Sequence, residues 1–272
     1  MDNSVFYMTV LQNIENYVFS SVLKDFVFDI IQIENSVRKI IYITEFSILS
    51  SFMHTLVALD RDGTINKDED WYLGSTSDWK ERITFLPGVV EGIRQLNRIQ
   101  GIDTVIITNQ AGVARKFFSE ERMHEVNQHI VNELEKQGAA VKGYFACPYV
   151  SQRYAAERHR QGKDIDDKYV RDNHPEQKPN IGMLVRAAKL CGYSLESCHK
   201  CVIGDRVSDI EMALRAGGRG YLVESWKTNK DHDTEKVILL AAKHPGQIMI
   251  SKNFFNAVEH IILFHISGKK PS

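Results

Sequence analysis

The sequence predicts an α/β fold in which a parallel sheet is covered by helices on both faces. Three observations predict it. Short apolar runs at residues 55–59, 104–107, 143–146, 201–203, 220–223 and, more weakly, 247–250 have the length of buried strands. Apolar residues at helical spacing fill the intervals at 89–100, 120–137, 181–190, 208–216 and 253–264. Gly101, Gly138, Gly192 and Gly217 each follow one of these helices, where a C-terminal stop belongs. Such alternation makes βαβ units and a three-layer, Rossmann-like arrangement.

Composition narrows the function. In 272 residues, 43% are hydrophobic and 25% charged, as in ordinary globular proteins. With 34 Lys and Arg against 35 Asp and Glu, the net charge is −1, which argues against a partner such as nucleic acid held by bulk positive charge. Cys147, Cys191, Cys198 and Cys201 are too few for a disulfide framework, so a reducing compartment is expected. The opening residues lack the basic region and cleavage site of a secretory signal. A cytoplasmic, monomeric protein is the resulting expectation. The most lipid-like stretch, 40–59, carries Glu45 and His54 and runs into the first strand, so no membrane partner is expected.

Residues 1–53 stand apart. They hold no Gly or Pro and no chemistry-bearing cluster, and Val18, Val22, Phe26, Ile30 and Ile33 keep a mixed helical spacing. They read as an N-terminal helical extension of unassigned role, before a domain at 54–272.

Ligands of a parallel α/β sheet bind beyond the carboxyl ends of its strands. The residues there are Asp60, Thr108 and Asp205, so two carboxylates and a hydroxyl share one rim. Asp60-Arg-Asp62-Gly63-Thr turns at Gly63, so one carboxylate can attack while the other moves a proton. A capped surface turn is the plainer explanation of those five residues alone. Thr108-Asn109-Gln110-Ala-Gly112-Val-Ala-Arg115 offers a hydroxyl, an amide, main-chain N–H groups and a guanidinium to an anion; alone, it is equally a polar loop. Lys178, followed by Pro179 and a candidate cap at Asn180, precedes a helix, where an ammonium assists anion binding; alone, it reads more readily as a solvated lysine. Gly204-Asp205-Arg-Val-Ser-Asp209 places two carboxylates one helical turn apart, a set suited to Mg2+, although capping explains Asp209 nearly as well.

In this order the four segments resemble the motifs of the haloacid dehalogenase-like (HAD) superfamily. The Asp-Arg-Asp-Gly-Thr-Ile-Asn form, Leu-Pro-Gly-Val at 86–89, Thr-Asn-Gln-Ala-Gly-Val-Ala-Arg, Cys147-Pro148 and Lys178-Pro179 with Gly182-Met-Leu are similar to subfamily IIIA. That branch has only small loop caps and contains heptose bisphosphate and histidinol-phosphate phosphatases. The resemblance covers about residues 54–264. It implies a Mg2+-dependent phosphomonoesterase acting on a small phosphorylated metabolite, with a sugar phosphate such as a heptose bisphosphate first. Histidinol phosphate comes second, a nucleic-acid 3′-phosphatase third, and a non-catalytic scaffold is the alternative from another class. By resemblance, Asp60 is the nucleophile that becomes an aspartyl-phosphate, and Asp62 serves the leaving oxygen and then water. Thr108 and Lys178 hold phosphoryl oxygens, and Asn109 and Arg115 are substrate-side contacts. Asp60, Asp205 and the Asp62 carbonyl ligate Mg2+, with Asp209 behind them.

The sequence also departs from that branch, whose zinc loop carries Cys-x-His and then Cys-x-Cys. Here Tyr149 follows Cys147-Pro148, and His174 and Glu176 stand where the later pair is expected. Cys147 and His174 are a degenerate remnant, and the sequence argues against bound zinc. Residues 151–176 are polar and basic, and are expected to overhang the site and govern substrate choice. Cys198 and Cys201 have no second half-site for redox or metal chemistry. Trp71, Tyr72 and Trp79 read more readily as a flap packed against the domain than as a pocket lining, and His124 and His129 as surface or partly buried helix residues. Deleting residues 1–50 is expected to leave most phosphatase activity intact; a collapse of kcat in a folded truncation would place the extension in the site.

Overall fold

The computed structural model describes residues 54–67 and 72–267, so the extension at 1–53 and Trp71 lie outside the described residues. Six parallel strands form one sheet: β1 (Thr55–Asp60), β2 (Ile102–Asn109), β3 (Tyr144–Cys147), β4 (His199–Gly204), β5 (Arg219–Val223) and β6 (Ile248–Ser251). Their order is β3-β2-β1-β4-β5-β6. Each expected apolar run is a strand. The register places Asp60 of β1 opposite Ile107 of β2, so Thr108 lies one residue past it on the same edge.

The flanking helices are α1 (Val89–Asn97), α2 (Glu120–Lys136), α3 (Gln152–Arg160), α4 (Gly182–Leu190), α5 (Val207–Arg215), α6 (Trp226–Lys230), α7 (Asp233–Lys243) and α8 (Phe254–Ser267). Because strand side chains alternate, β1 supplies both cores. Val57 and Leu59 pack with Ile93 and Leu96 of α1, Val126 and Ile130 of α2, and Val258 and Ile261 of α8. Leu56 and Ala58 face the other way, against Met183 and Leu184 of α4 and Met212 and Ala213 of α5. Both faces are closed, which is why the strands read as unbroken apolar runs. Among the described residues no helix is long and apolar enough to cross a membrane.

Helices α3, α6 and α7 were not legible in advance. Helix α3 buries only Ala155 and is begun by Ser151, whose hydroxyl accepts from the Tyr154 N–H, so it has no apolar stripe to reveal it. Five-residue α6 is too short for periodicity. Of α7's apolar run only Val237 is buried, while Ile238 and Leu239 stay exposed. The candidate cap Asn180 does not cap α4. Its amide donates to the His174 carbonyl at 2.9 Å and accepts from Arg215 at 2.8 Å.

Candidate active site

From β1 the chain winds outward through β2 and β3, then crosses to β4, β5 and β6 on the other side. The connections on either side of β1 and β4 therefore diverge and leave a crevice beyond their carboxyl ends. A cavity of about 460 Å3 lies there. Asp60, Asp62, Thr108, Asn109, Arg115, Lys178 and Asp205 all line it, so the structure brings residues from four distant segments together. Asp209 sits directly behind them, fully buried.

Lys178 holds this group together. Its ammonium lies 2.5 Å from Asp60 Oδ1 and 2.6 Å from Asp209 Oδ1, and is almost wholly buried. The main chain of Lys178 is fixed by Asn109, whose Oδ1 accepts the Lys178 N–H at 3.1 Å and whose Nδ2 donates to the Lys178 carbonyl at 3.4 Å. Burial opposes charge on Lys178, but Asp209 and Asp60 overcome it and raise its pKa. Burial pushes Asp60 up to about 7 against the pull of Lys178, and the charges of Asp209 and Asp62 add to the rise. Asp205 is also raised well above its ordinary value, by burial first and then by Asp60 and Asp209.

Asp62 is in the opposite state. Burial would raise it, but the Arg61 guanidinium, with hydrogen bonds from Arg61, Asn66 and Gln110, holds it down at about 2. Arg61 grips both oxygens, Nε to Oδ1 at 2.9 Å and Nη2 to Oδ2 at 2.5 Å. Its Nη1 is anchored on the buried Asn127 of α2 at 3.0 Å. Asn66 Nδ2 reaches Asp62 Oδ1 at 3.1 Å, and Gln110 Nε2 reaches Oδ2 at 2.8 Å. This arrangement stabilises the carboxylate, the form that can accept a proton from water.

The donor set suits a hard divalent cation. Oxygens of Asp60, Asp205 and Asp209 lie within 4.8 Å of one another. With all three carboxyls ionised, as cation binding requires, the single Lys178 ammonium would leave two negative charges uncompensated. Arg206, which also lines the cavity, offsets them only in part, because its guanidinium is bonded to Asp231 and Asp233. Asp205 Oδ2 accepts from Ser225 at 2.6 Å, while buried Oδ1 has no hydrogen-bond partner among the described residues. Both Asp209 oxygens are engaged, by Lys178 and by the Arg206 N–H at 3.1 Å. The free valence is therefore on Asp205, beside Asp60. Gly63, at φ +94°, makes room for it: a methyl there would lie 2.3 Å from Asp205 Oδ2.

The walls carry further charge. Arg115 lies over the rings of Tyr72 at 5.0 Å and Tyr154 at 5.1 Å and donates to the Tyr72 hydroxyl. From the β5 side come Trp226, Lys227 and Lys230. Contrary to expectation, no residue of 151–176 lines the cavity. That segment packs behind Arg115 instead, through Tyr154 and the Asp166 N–H donating to the Ala114 carbonyl at 2.8 Å. His174 stacks on Tyr149 with centroids 3.9 Å apart, and its Nδ1 lies 3.8 Å from Cys147 Sγ. The Glu176 carboxylate pairs with Arg186. Trp79 is a core residue packed edge-on against His129.

Arg61, Gln110, Asn127 and Ser225 were not assigned from the sequence. Ser225 could have been found, since it closely follows the carboxyl end of β5. Arg61 carries no such signal, because a charged residue at that position reads as exposed, yet it is 1% exposed.

Comparison with known proteins agrees with this geometry. A family model described as HAD-hydrolase-like matches residues 176–248. The D-glycero-beta-D-manno-heptose-1,7-bisphosphate 7-phosphatase of Rhodopseudomonas palustris is 37% identical over 166 residues, covering 61% of this chain and 81% of that protein. The D-glycero-alpha-D-manno-heptose-1,7-bisphosphate 7-phosphatase of Photorhabdus laumondii is 31% identical over 182 residues, covering 66% and 88%. The crystal structure of a D,D-heptose 1,7-bisphosphate phosphatase from B. bronchiseptica, complexed with magnesium and phosphate, shares the fold with a TM-score of 0.57. It is 23% identical and covers 77% of this chain and 99% of that one.

Two outcomes follow from the carboxylate cluster. Asp60 holds its proton more tightly folded than unfolded, so the stability this contributes is full below 3.8 and is lost as pH rises through about 7. A divalent cation bound there would displace that proton. Mg2+ affinity, read by thermal-shift titration at pH 5.5, 6.5 and 7.5, should therefore tighten by up to about tenfold per pH unit for each carboxyl proton displaced; a pH-independent affinity would contradict this. Gly63→Ala should cost roughly 1–3 kcal/mol in a thermal melt and weaken Mg2+ binding, because neither the backbone angle nor Asp205 tolerates the methyl.

Proposed function

Because the chain belongs to the HAD-like hydrolases, the family of its heptose bisphosphate phosphatase relatives, we propose that it is a Mg2+-dependent phosphatase of a small sugar bisphosphate such as a heptose 1,7-bisphosphate. The observation that carries this reading is Asp60 held against the Lys178 ammonium beside the unsaturated Oδ1 of Asp205. When bound, Mg2+ would be held by Asp60, Asp205 and the Asp62 main-chain carbonyl and would set positive charge against the phosphoryl oxygens.

The difficulty is charge. A carboxylate and a unit negative charge 4 Å apart repel by about 4 kcal/mol at an effective dielectric of 20, and a phosphate dianion by twice that. Lys178 offsets part of this as Asp60 attacks phosphorus and the ester oxygen departs with a proton from Asp62. Entry of the phosphate charge raises the proton affinity of Asp62, opposing the grip of Arg61, so that Asp62 takes up from solvent the proton it then transfers. In the second half-reaction Asp62, again a carboxylate, takes a proton from the water that attacks the aspartyl-phosphate and frees Asp60. Thr108 donates to a phosphoryl oxygen throughout. Arg115 is positioned for the substrate's second phosphate, while Asn109 works through the Lys178 main chain.

The cavity walls favour a bisphosphate. Arg115 on the β2 side and Lys227 and Lys230 on the β5 side present cations to the part of the substrate that does not react. Histidinol phosphate carries an ammonium of its own, which such walls repel. A 3′-phosphorylated nucleic acid end would need a basic track continuing outward, and the net charge of −1 offers no general support for one. A non-catalytic scaffold would have no chemical use for Asp60, Asp62 and Lys178 together.

Hydrolysis of p-nitrophenyl phosphate should require Mg2+ and be abolished by Asp60→Asn; activity indifferent to both would remove the phosphatase reading. Across a panel of heptose 1,7-bisphosphate, histidinol phosphate and 3′-phosphorylated oligonucleotides, kcat/KM should be highest for the bisphosphate. Arg115→Ala should raise KM for the bisphosphate by about tenfold or more, as expected for a lost charge-assisted contact. Its KM for p-nitrophenyl phosphate, which lacks the second phosphate, should change little.

A further inference from the structure

Thr108 is useful to a phosphoryl oxygen only if its hydroxyl proton points at the substrate. A free hydroxyl rotates, and a buried one turns toward whatever acceptor lies nearby. The surroundings of Thr108 decide which way it turns. Its side chain is buried, and its Oγ1 lies 2.9 Å from Gln110 Nε2. The same nitrogen lies 2.8 Å from Asp62 Oδ2.

The oxygen and nitrogen of an amide have nearly the same shape, so their assignment rests on the bonding partners. Here the partners settle it. Asp62 is clasped at both oxygens by Arg61, so it is a carboxylate and offers only acceptors. The Gln110 atom facing it must therefore be the nitrogen. That nitrogen spends one hydrogen on Asp62 and the other on Thr108. Thr108 Oγ1 thus accepts from Gln110, and its own proton must point elsewhere. No acceptor for that proton is found among the described residues, and Thr108 faces the cavity. Had the amide been reversed, its oxygen would have drawn the Thr108 proton away from the substrate.

We infer that Gln110 is a positioning residue that fixes the Thr108 hydroxyl with its proton aimed at the phosphoryl group, within a network in which Asp62 accepts from both Arg61 and Gln110 and Gln110 also donates to Thr108. Gln110 is itself held firmly. It is 5% exposed, and its main-chain N–H donates to the Cys147 carbonyl at the end of β3 at 2.7 Å. The gain is a donor oriented before the substrate arrives, so no reorientation is needed as charge develops on the phosphoryl oxygens. The inference rests on the phosphatase reading and adds a residue to it that acts only through another.

The test is a double-mutant cycle on the full chain with Mg2+, comparing the unaltered protein, Gln110→Met, Thr108→Val and the pair. Inorganic phosphate binding is measured by calorimetry, with kcat for p-nitrophenyl phosphate as a second readout. Each single substitution should weaken phosphate binding by about tenfold, the worth of one charge-assisted hydrogen bond. In the Thr108→Val background, Gln110→Met should add less than about twofold, because the hydroxyl it orients is gone. In a Thr108→Ser background, which keeps a hydroxyl, the loss should return in full. Should Gln110→Met fail to fold, Gln110→Ala takes its place in the same cycle. Additive losses would overturn the inference while leaving the phosphatase reading standing. Failure of the unaltered protein both to bind phosphate and to hydrolyse the ester would overturn both.

Discussion

The site depends on one buried ammonium between two carboxylates. Lys178 meets Asp60 and Asp209 in a region from which water is largely excluded, and three carboxylates converge there. Removing the ammonium would leave two buried anions facing each other, a change that costs about 3–5 kcal/mol when one partner of a buried pair is lost. The cluster is still short of positive charge with Lys178 in place. That shortfall is what a divalent cation would offset, and it explains why Asp60 and Asp205 retain protons so strongly.

The two acidic residues of the first segment are two positions apart and have opposite electrostatic surroundings. Asp60 is crowded by like charge and desolvated, whereas Asp62 is saturated with donors. The division suits a nucleophile that must be neutralised by bound cations and a proton carrier that returns to its carboxylate form between steps. Its Asp62 side is built by Arg61, Asn66 and Gln110. Arg61 reaches from the β1 edge to Asn127 on α2 and ties Asp62 to the rigid body of the fold. Ser225 and Thr228 do the equivalent for Asp205, bonding to its carboxylate and to its carbonyl at 2.6 and 2.5 Å. Two glycines permit the close packing. Gly63 admits the Asp205 carboxylate, and Gly204 admits that of Asp209, which a methyl would meet at 2.3 Å.

The polar segment at 151–176 shows how a chemical expectation can be correct about composition and wrong about placement. Its basic residues suggested a cover over the site. It folds instead as a capped helix with salt bridges of its own, and it supports Arg115 from behind through Tyr154. The cavity wall outside the core motifs comes instead from Tyr72, Leu73 and the short helix α6.

Much of the protein was determined locally and could be read directly. Strands buried on both faces are apolar without interruption, so all six were visible, and the rule that ligands collect at strand carboxyl ends located Asp60, Thr108 and Asp205. Helices without an apolar stripe, α3 and α7 among them, were not visible, because periodicity reports burial and they bury little. Tertiary structure alone decided the sequence-distant pairings. The chain at residue 178 returns to residue 60, Asn127 accepts from Arg61, and Ser225 leaves one oxygen of Asp205 unsatisfied. Protonation and hydrogen-bond polarity depend on distances of a few ångströms between residues tens to more than a hundred positions apart, and no local pattern encodes those distances.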